Sequence, residues 1–372
     1  MKNLLKLSFI SLFCFNFFEF NLNLPSVSAK DLLEISLDKE IKKGNFLIGL
    51  KQHLGKDNNL KEDFLVFKTK NSFLKVHSSN GVKHKSKEIK IILKSVPLER
   101  PLIIERLVSK SFASYESAKK EAQILEKKGL KPLITMPNGW ELWLPIENKD
   151  YVDNNFKIRR KIIKNQIIPY LTNKYIYQKL DGPIFISSYE DIFINNINYG
   201  KNFYLLKDSY GTYTLVQKIS FDKYLNGVLP HEIGSNAPME SLKAQAVIAR
   251  TWAIYNSNRF EADKFHLCVT TQCQVYKPSL GNSNIQKAIR DTRNQILAYK
   301  DQPINAFYHA SNGGISAKAS ESWKIKDYPY FIFKKDLIHF SKEKPNNDLS
   351  RRKELKNFLE KDKNNFFGKD HY

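Results

Sequence analysis

Residues 224–253 read YLNGVLPHEIGSNAPMESLKAQAVIARTWA, and no other stretch limits the fold of this chain so tightly. Pro238 fits the first turn of a helix, where its missing N–H would have no intrahelical partner. Glu240 sits in that same turn, where the helix dipole favours a carboxylate. Leu242, Ala246, Ala249 and Ala253 then recur at helical spacing. They form a stripe of small residues suited to close packing against another element. Lys243 and Arg250 lie on a different side of the helix, with Gln245 between them. Ahead of the helix the chain reads as a strand-like lead-in that meets Pro230, and Glu232 follows in a short turn. The segment therefore holds one carboxylate in front of a rigid helix spanning about 238–256.

Strand signals surround this helix. Residues 182–220 alternate apolar and polar residues in three runs separated by Asn/Gly and Asp/Gly turns, the pattern of antiparallel strands. Beyond the helix, Gln295–Tyr299 and Ile304–His309 read as two more strands around a turn at Asp301 and Gln302. The expected class is α+β: a C-terminal domain at 182–337 with antiparallel strands around a central helix, plus a small α/β N-terminal accessory region.

That N-terminal half divides on composition. Residues 30–97 are Lys-rich and β-leaning, and they carry no evident chemistry. Residues 98–150 read strand, helix, strand, with Ser114 as the N-cap and Gly129 closing the helix. Trp140 and Trp143 are an odd number of residues apart and point to opposite faces of a regular strand. Residues 151–181 are basic and read as a linker or packing helix, and 338–372 as a charged C-terminal tail.

Residues 1–29 have the layout of a secretory leader: Lys2 and Lys6, an apolar run at 7–18, then Ser26, Val27, Ser28 and Ala29 before a cleavage point. The run is too short to be a membrane span, so membrane contact is expected only through an uncleaved leader. The net charge is +22, from 60 Lys+Arg against 38 Asp+Glu. Export to the periplasm or cell envelope excludes nucleic acid as the expected partner and turns the basic surface toward envelope polymers. Cys14 falls in the leader, leaving Cys268 and Cys273, whose close spacing in an exported chain reads as a local disulfide or a metal site.

The YL-GV-P-E and P-E-LKAQA-AR segments resemble the signature of the SpoIID/LytB family. So do Cys273-Gln274-Val275-Tyr276, and the run Ala306 to His309 followed by Ser311, Gly313, Gly314 and Trp323. Residues 98–150 resemble, more faintly, a SPOR domain, a module that binds peptidoglycan glycan. The first resemblance implies a lytic transglycosylase acting on peptide-stripped glycan strands, cutting the MurNAc–GlcNAc bond and leaving a 1,6-anhydro ring. It implies Glu232 as the catalytic acid/base. One carboxylate suffices for this reaction, because the C6 hydroxyl of the sugar is the nucleophile, whereas hydrolysis generally uses two.

Lys243, Gln245, Arg250, Gln274, Tyr276, His309, Ser311 and Gly313 are the expected substrate-binding residues. For Lys243 and Arg250 the alternative is intramolecular pairing, for example with Glu240 or Asp222. His266, Cys268 and Cys273 resemble part of a zinc site, but Gln272 stands where relatives carry His. A Cys268–Cys273 disulfide with no cofactor is the default expectation. Two other functions remain open: a LytB-type modifier that stimulates a cell-wall amidase without breaking a bond itself, and a glycan-binding module.

Overall fold

The computed structural model describes residues 35–55, 63–173, 175–279 and 281–310, with short pieces at 315–316, 318–322, 327–332, 334–335, 351–353 and 356. The leader, nearly all of the tail, and the expected site residues Ser311 and Gly313 lie outside the described residues.

The fold is α+β. Helix α1 (Leu37–Lys42) precedes strands β1 (Asn45–Leu54), β2 (Asp63–Lys68), β3 (Leu74–Ser78), β4 (Lys83–Ser86) and β5 (Glu88–Ser109). Helix α2 (Tyr115–Lys127) leads to β6 (Leu133–Thr135) and β7 (Glu141–Pro145). Next come β8 (Phe156–Thr172), β9 (Tyr177–Lys179), β10 (Ile184–Ile194), β11 (Ile197–Lys207) and β12 (Tyr213–Ser220). Then follow α3 (Phe221–Glu232), α4 (Met239–Tyr255), β13 (Leu267–Cys268) and α5 (Ser283–Asp291).

Among the described residues, 13 strands join one sheet whose main path runs β13-β1-β12-β11-β10-β2-β5-β7-β6. Its neighbours pair antiparallel, except that β1 runs parallel to β13. Strand β1 is apolar on both faces because a core lies on each side of it. Phe46 and Ile48 pack with α3, α4 and α5. Leu47, between them, points the other way into a core shared with α2 and β7. A third core fills the inner face of β2, β5, β10 and β11.

The expected division of the N-terminal half does not hold. β1 lies between β12 and β13 of the C-terminal part, and β5 runs unbroken from Glu88 to Ser109 across the expected boundary at 97/98. The stretch 151–181, expected as a linker or packing helix, instead holds the 17-residue strand β8, paired with β5 on both sides of an irregularity between Pro97 and Leu102. Its isoleucines are β-branched and favour strand backbone, and the long partner satisfies the N–H and C=O groups that a helix would have satisfied internally. The strands expected at 295–309 shrink to a hairpin of Ala298–Tyr299 with Gln302–Pro303. Lys300 and Asp301 both take positive φ there, as a tight two-residue turn requires.

The lead-in to Glu232 is a helix, not a strand and turn. Ser220 caps α3, its side chain accepting from the Lys223 N–H. Tyr224, Leu225, Val228 and Leu229 then bury one helical face completely. Pro230 has no N–H to give the Asn226 carbonyl, so the helix ends within two residues of it, at Glu232. Against it, the α4 stripe of Leu242, Ala246, Ala249 and Ala253 is fully buried. Burial of Leu242 alone contributes about 2 kcal/mol.

Gly227 sits inside α3, where glycine costs about 1 kcal/mol relative to alanine. A Cβ there would meet the Tyr276 ring and, at 2.5 Å, the Lys277 carbonyl oxygen. The expected outcome for Gly227→Ala is a net destabilisation of roughly 2 kcal/mol despite its better helix propensity, measured by denaturant unfolding.

Candidate active site

Glu232 is the last residue of α3. A carboxylate at a helix C-terminus faces the negative end of the dipole, an unfavourable place. The Val275 N–H, donating to Glu232 Oε1 at 2.9 Å, offsets this, and the Tyr308 hydroxyl faces the same carboxyl group. Burial pushes the Tyr308 hydroxyl well above its ordinary pKa, and the Glu232 charge adds to the effect, so it stays a donor.

A buried chain of hydrogen bonds stands behind this pair. The Tyr224 hydroxyl donates to Gln274 Oε1 at 3.1 Å. Gln274 Nε2 donates to the Ala249 carbonyl at 3.3 Å and to the Tyr308 hydroxyl oxygen at 3.1 Å. Tyr276 stacks on Tyr224 and donates to Gln217 Oε1 at 3.0 Å. Gln274 and Tyr276 are thus brought close to Glu232 as sequence reasoning expected, but both are buried behind it and do not line the cleft.

Glu232 opens onto a cleft of about 400 Å3. One side carries Trp252 of α4, the 271–273 loop, Val275, Phe307 and Tyr308. The other side is the entry to α2: Ala113, Ser114, Tyr115 and Glu116. The two sides are tied together by Arg259, 4% exposed. Its Nη2 donates to Glu116 Oε1 at 2.5 Å and to Asn256 Oδ1 at 2.9 Å, and its Nη1 to the Gln272 carbonyl at 3.0 Å. Trp140 adds an Nε1–H bond to Gln272 Oε1 at 3.2 Å and packs in the core.

The expected cations are engaged elsewhere. Arg250 is buried, and its Nη1 clamps the carbonyls of Thr292 and Gln295. Lys243 pairs with Glu240 at 2.9 Å and with Asp291 at 3.7 Å. Gln245 is buried in α4, and its Nε2 has no partner among the described residues. His309 is exposed. None of these four lines the cleft.

The three candidate zinc ligands are also committed. Cys268 and Cys273 form a disulfide. The Leu47 N–H donates to His266 Nδ1 at 2.7 Å, and Nε2 faces the Leu37 carbonyl at 3.1 Å. Both ring nitrogens of a neutral His266 therefore hold β1 and the chain before it, and neither is free for a metal.

Sequence reasoning missed Tyr308, Arg259, Glu116 and Trp252. Tyr308 stands beside His309 in the run that resembles the family, and only its neighbour was singled out there. Glu116 and Arg259 are 143 residues apart, so no local spacing announces them.

Residues 209–299, which build the Glu232 side of the cleft except for Phe307 and Tyr308, match the SpoIID model, described as Stage II sporulation protein. Over this segment the chain is similar to the SpoIID/LytB family. It is 39% identical over 112 residues to the amidase enhancer of Bacillus subtilis, covering 30% of this chain and 15% of that protein. It is 36% identical over 119 residues to an uncharacterized protein of Brachyspira hyodysenteriae, covering 31% and 32%. Stage II sporulation protein D of Bacillus subtilis is 32% identical over 124 residues, covering 29% and 36%. The chain thus spans between 15% and 36% of the length of these relatives. The α2 side of the cleft lies outside the SpoIID match.

Burial holds the His266 pKa down to about 4, with the charges of Glu40 and Asp38 working weakly against the shift. Its neutral form is the folded form, so this group contributes stability at neutral pH that is lost as pH falls from about 6.5 to about 4, up to roughly 3 kcal/mol. Asp263, raised to about 6 by burial, acts with the opposite sign, adding stability as pH falls toward 4. The His266 effect is therefore read group by group: by NMR its imidazole stays neutral at pH 5.5, where an ordinary histidine is mostly protonated.

Proposed function

We propose that the cleft binds a peptidoglycan glycan strand and that Glu232 is the acid/base of a lytic transglycosylase. The observation that carries this reading is a carboxylate opening onto a cleft at an unfavourable helix end, held by the Val275 N–H with the Tyr308 hydroxyl beside it. Such positioning is what proton transfer at a fixed bond demands.

In the proposed reaction, the protonated Glu232 gives its proton to the oxygen linking MurNAc C1 to GlcNAc. The C1–O bond breaks with its electron pair on the leaving oxygen, which departs as the GlcNAc hydroxyl. The MurNAc C6 hydroxyl attacks C1 to close the 1,6-anhydro ring, and its proton passes to the Glu232 carboxylate, restoring the acid. No water is consumed and no second carboxylate takes part. Val275 and Tyr308 keep the carboxyl group oriented through both proton transfers. Peptide-stripped strands are the proposed substrate, and zinc or another cofactor has no part in the scheme.

A second reading rests on the likeness to the amidase enhancer: the same cleft would engage glycan or a cell-wall amidase and stimulate that partner without cleavage. Either role places the protein, exported by its leader, in the periplasm or cell envelope. Among the described residues no helix is long and apolar enough to cross a membrane.

Glu232→Gln keeps the carbonyl acceptor but removes the transferable proton. The variant is expected to retain fold and glycan binding and to lose anhydro-MurNAc release by about a hundredfold or more, read by mass spectrometry of peptide-free glycan strands. Release at the wild-type rate would sink the transglycosylase. Amidase stimulation that survives the substitution would favour the modifier.

A further inference from the structure

The cleft contains a second carboxylate that the one-carboxylate scheme does not use. Glu116 lies in the first turn of α2, one residue past the buried Tyr115. Its Oε1 is fixed by Arg259, and its Oε2 has no hydrogen-bond partner among the described residues. The arrangement around Arg259 is rigid. Its guanidinium lies 4.4 Å from the Tyr115 ring centroid and 5.0 Å from that of Trp252, and it is hydrogen-bonded to Gln272 and Asn256 as well as to Glu116.

A buried ion pair of this kind is poor evidence for stability, because the desolvation of both charges offsets their attraction. It does, however, hold one carboxylate oxygen in a fixed direction at the cleft wall. An oriented, unpartnered acceptor selects donors: sugar hydroxyls and the N–H of an acetamido group. It repels an anion, so the lactyl carboxylate of a muramic residue is disfavoured beside it. Phe307, half-buried on the facing wall, offers the apolar surface that a sugar ring covers.

We infer that Glu116 is a sugar-orienting carboxylate: its free oxygen accepts from the hydroxyl or acetamido donors of a neutral N-acetylhexosamine unit bound in the Glu232 cleft. The assignment rests on reading this cleft as a glycan site. It places part of the recognition in the α2 segment, outside the family match.

The test is calorimetric titration of the full chain with chitotetraose, a neutral N-acetylglucosamine oligomer, alongside thermal melting. Glu116→Gln is expected to weaken binding about tenfold or more, the worth of a hydrogen bond to a charged group, and to raise KM on glycan strands while leaving kcat nearly unchanged. Unchanged affinity overturns the inference, and so does a lowered melting temperature with unchanged affinity, which marks a purely structural pair. A wild-type protein that fails to bind the tetramer overturns it too. Should Glu116→Gln fail to fold, the double variant Glu116→Gln/Arg259→Met removes both charges together and is held to the same tenfold loss. Weakened binding in a protein that never cleaves glycan would keep Glu116 and reject the transglycosylase. Unchanged binding in a protein that does cleave would do the reverse.

Discussion

The structure depends on where one strand sits. β1 enters between β12 and β13, and its alternating side chains close two cores at once. Phe46 and Ile48 seal the core under α3 and α4, while Leu47 seals the core under α2 and β7. His266 then pins β13 to β1 through the Leu47 N–H, and its own N–H donates to the Leu47 carbonyl at 2.8 Å. Because sheet side chains alternate strictly, a slip of one residue in β1 would exchange the two faces. The relative position of α2 and α3, and so the width of the cleft between them, follows from that register.

The polar groups near Glu232 form one satisfied chain from Tyr224 through Gln274 to Tyr308. Such a chain is worth having only if complete, since each buried partner left alone costs about 1–3 kcal/mol. It explains why residues that look like sugar ligands in the sequence are buried instead. Gln274 and Tyr276 fix the backbone that carries the Val275 N–H, and it is that N–H which touches Glu232. Their influence on the site is through position.

Much of this was legible in the residues. The α4 stripe, the caps of α2, the antiparallel run through β10, β11 and β12, and the Cys268–Cys273 pair all follow from local spacing and side-chain chemistry. Glu232 was picked out by the resemblance to the SpoIID/LytB family. For the two cations the alternative of intramolecular pairing is what the structure shows: Lys243 pairs locally with Glu240 and, across the fold, with Asp291, while Arg250 clamps the carbonyls of Thr292 and Gln295 rather than pairing with Asp222. The basic β8 segment, which reads locally as a linker or packing helix, is a strand because a 22-residue partner lies beside it.

The sequence by itself determined the local elements and singled out one carboxylate, because helix stripes, caps, turns and a motif are encoded within a few residues of one another. Only the tertiary structure decided what faces that carboxylate. Glu116 and Arg259 meet across 143 positions of chain, and the α2 segment reads locally as a separate module. Its place as the second wall of the cleft depends on which strand of the sheet each core closes against, a choice set by burial on both faces of β1 and visible in no single stretch of residues.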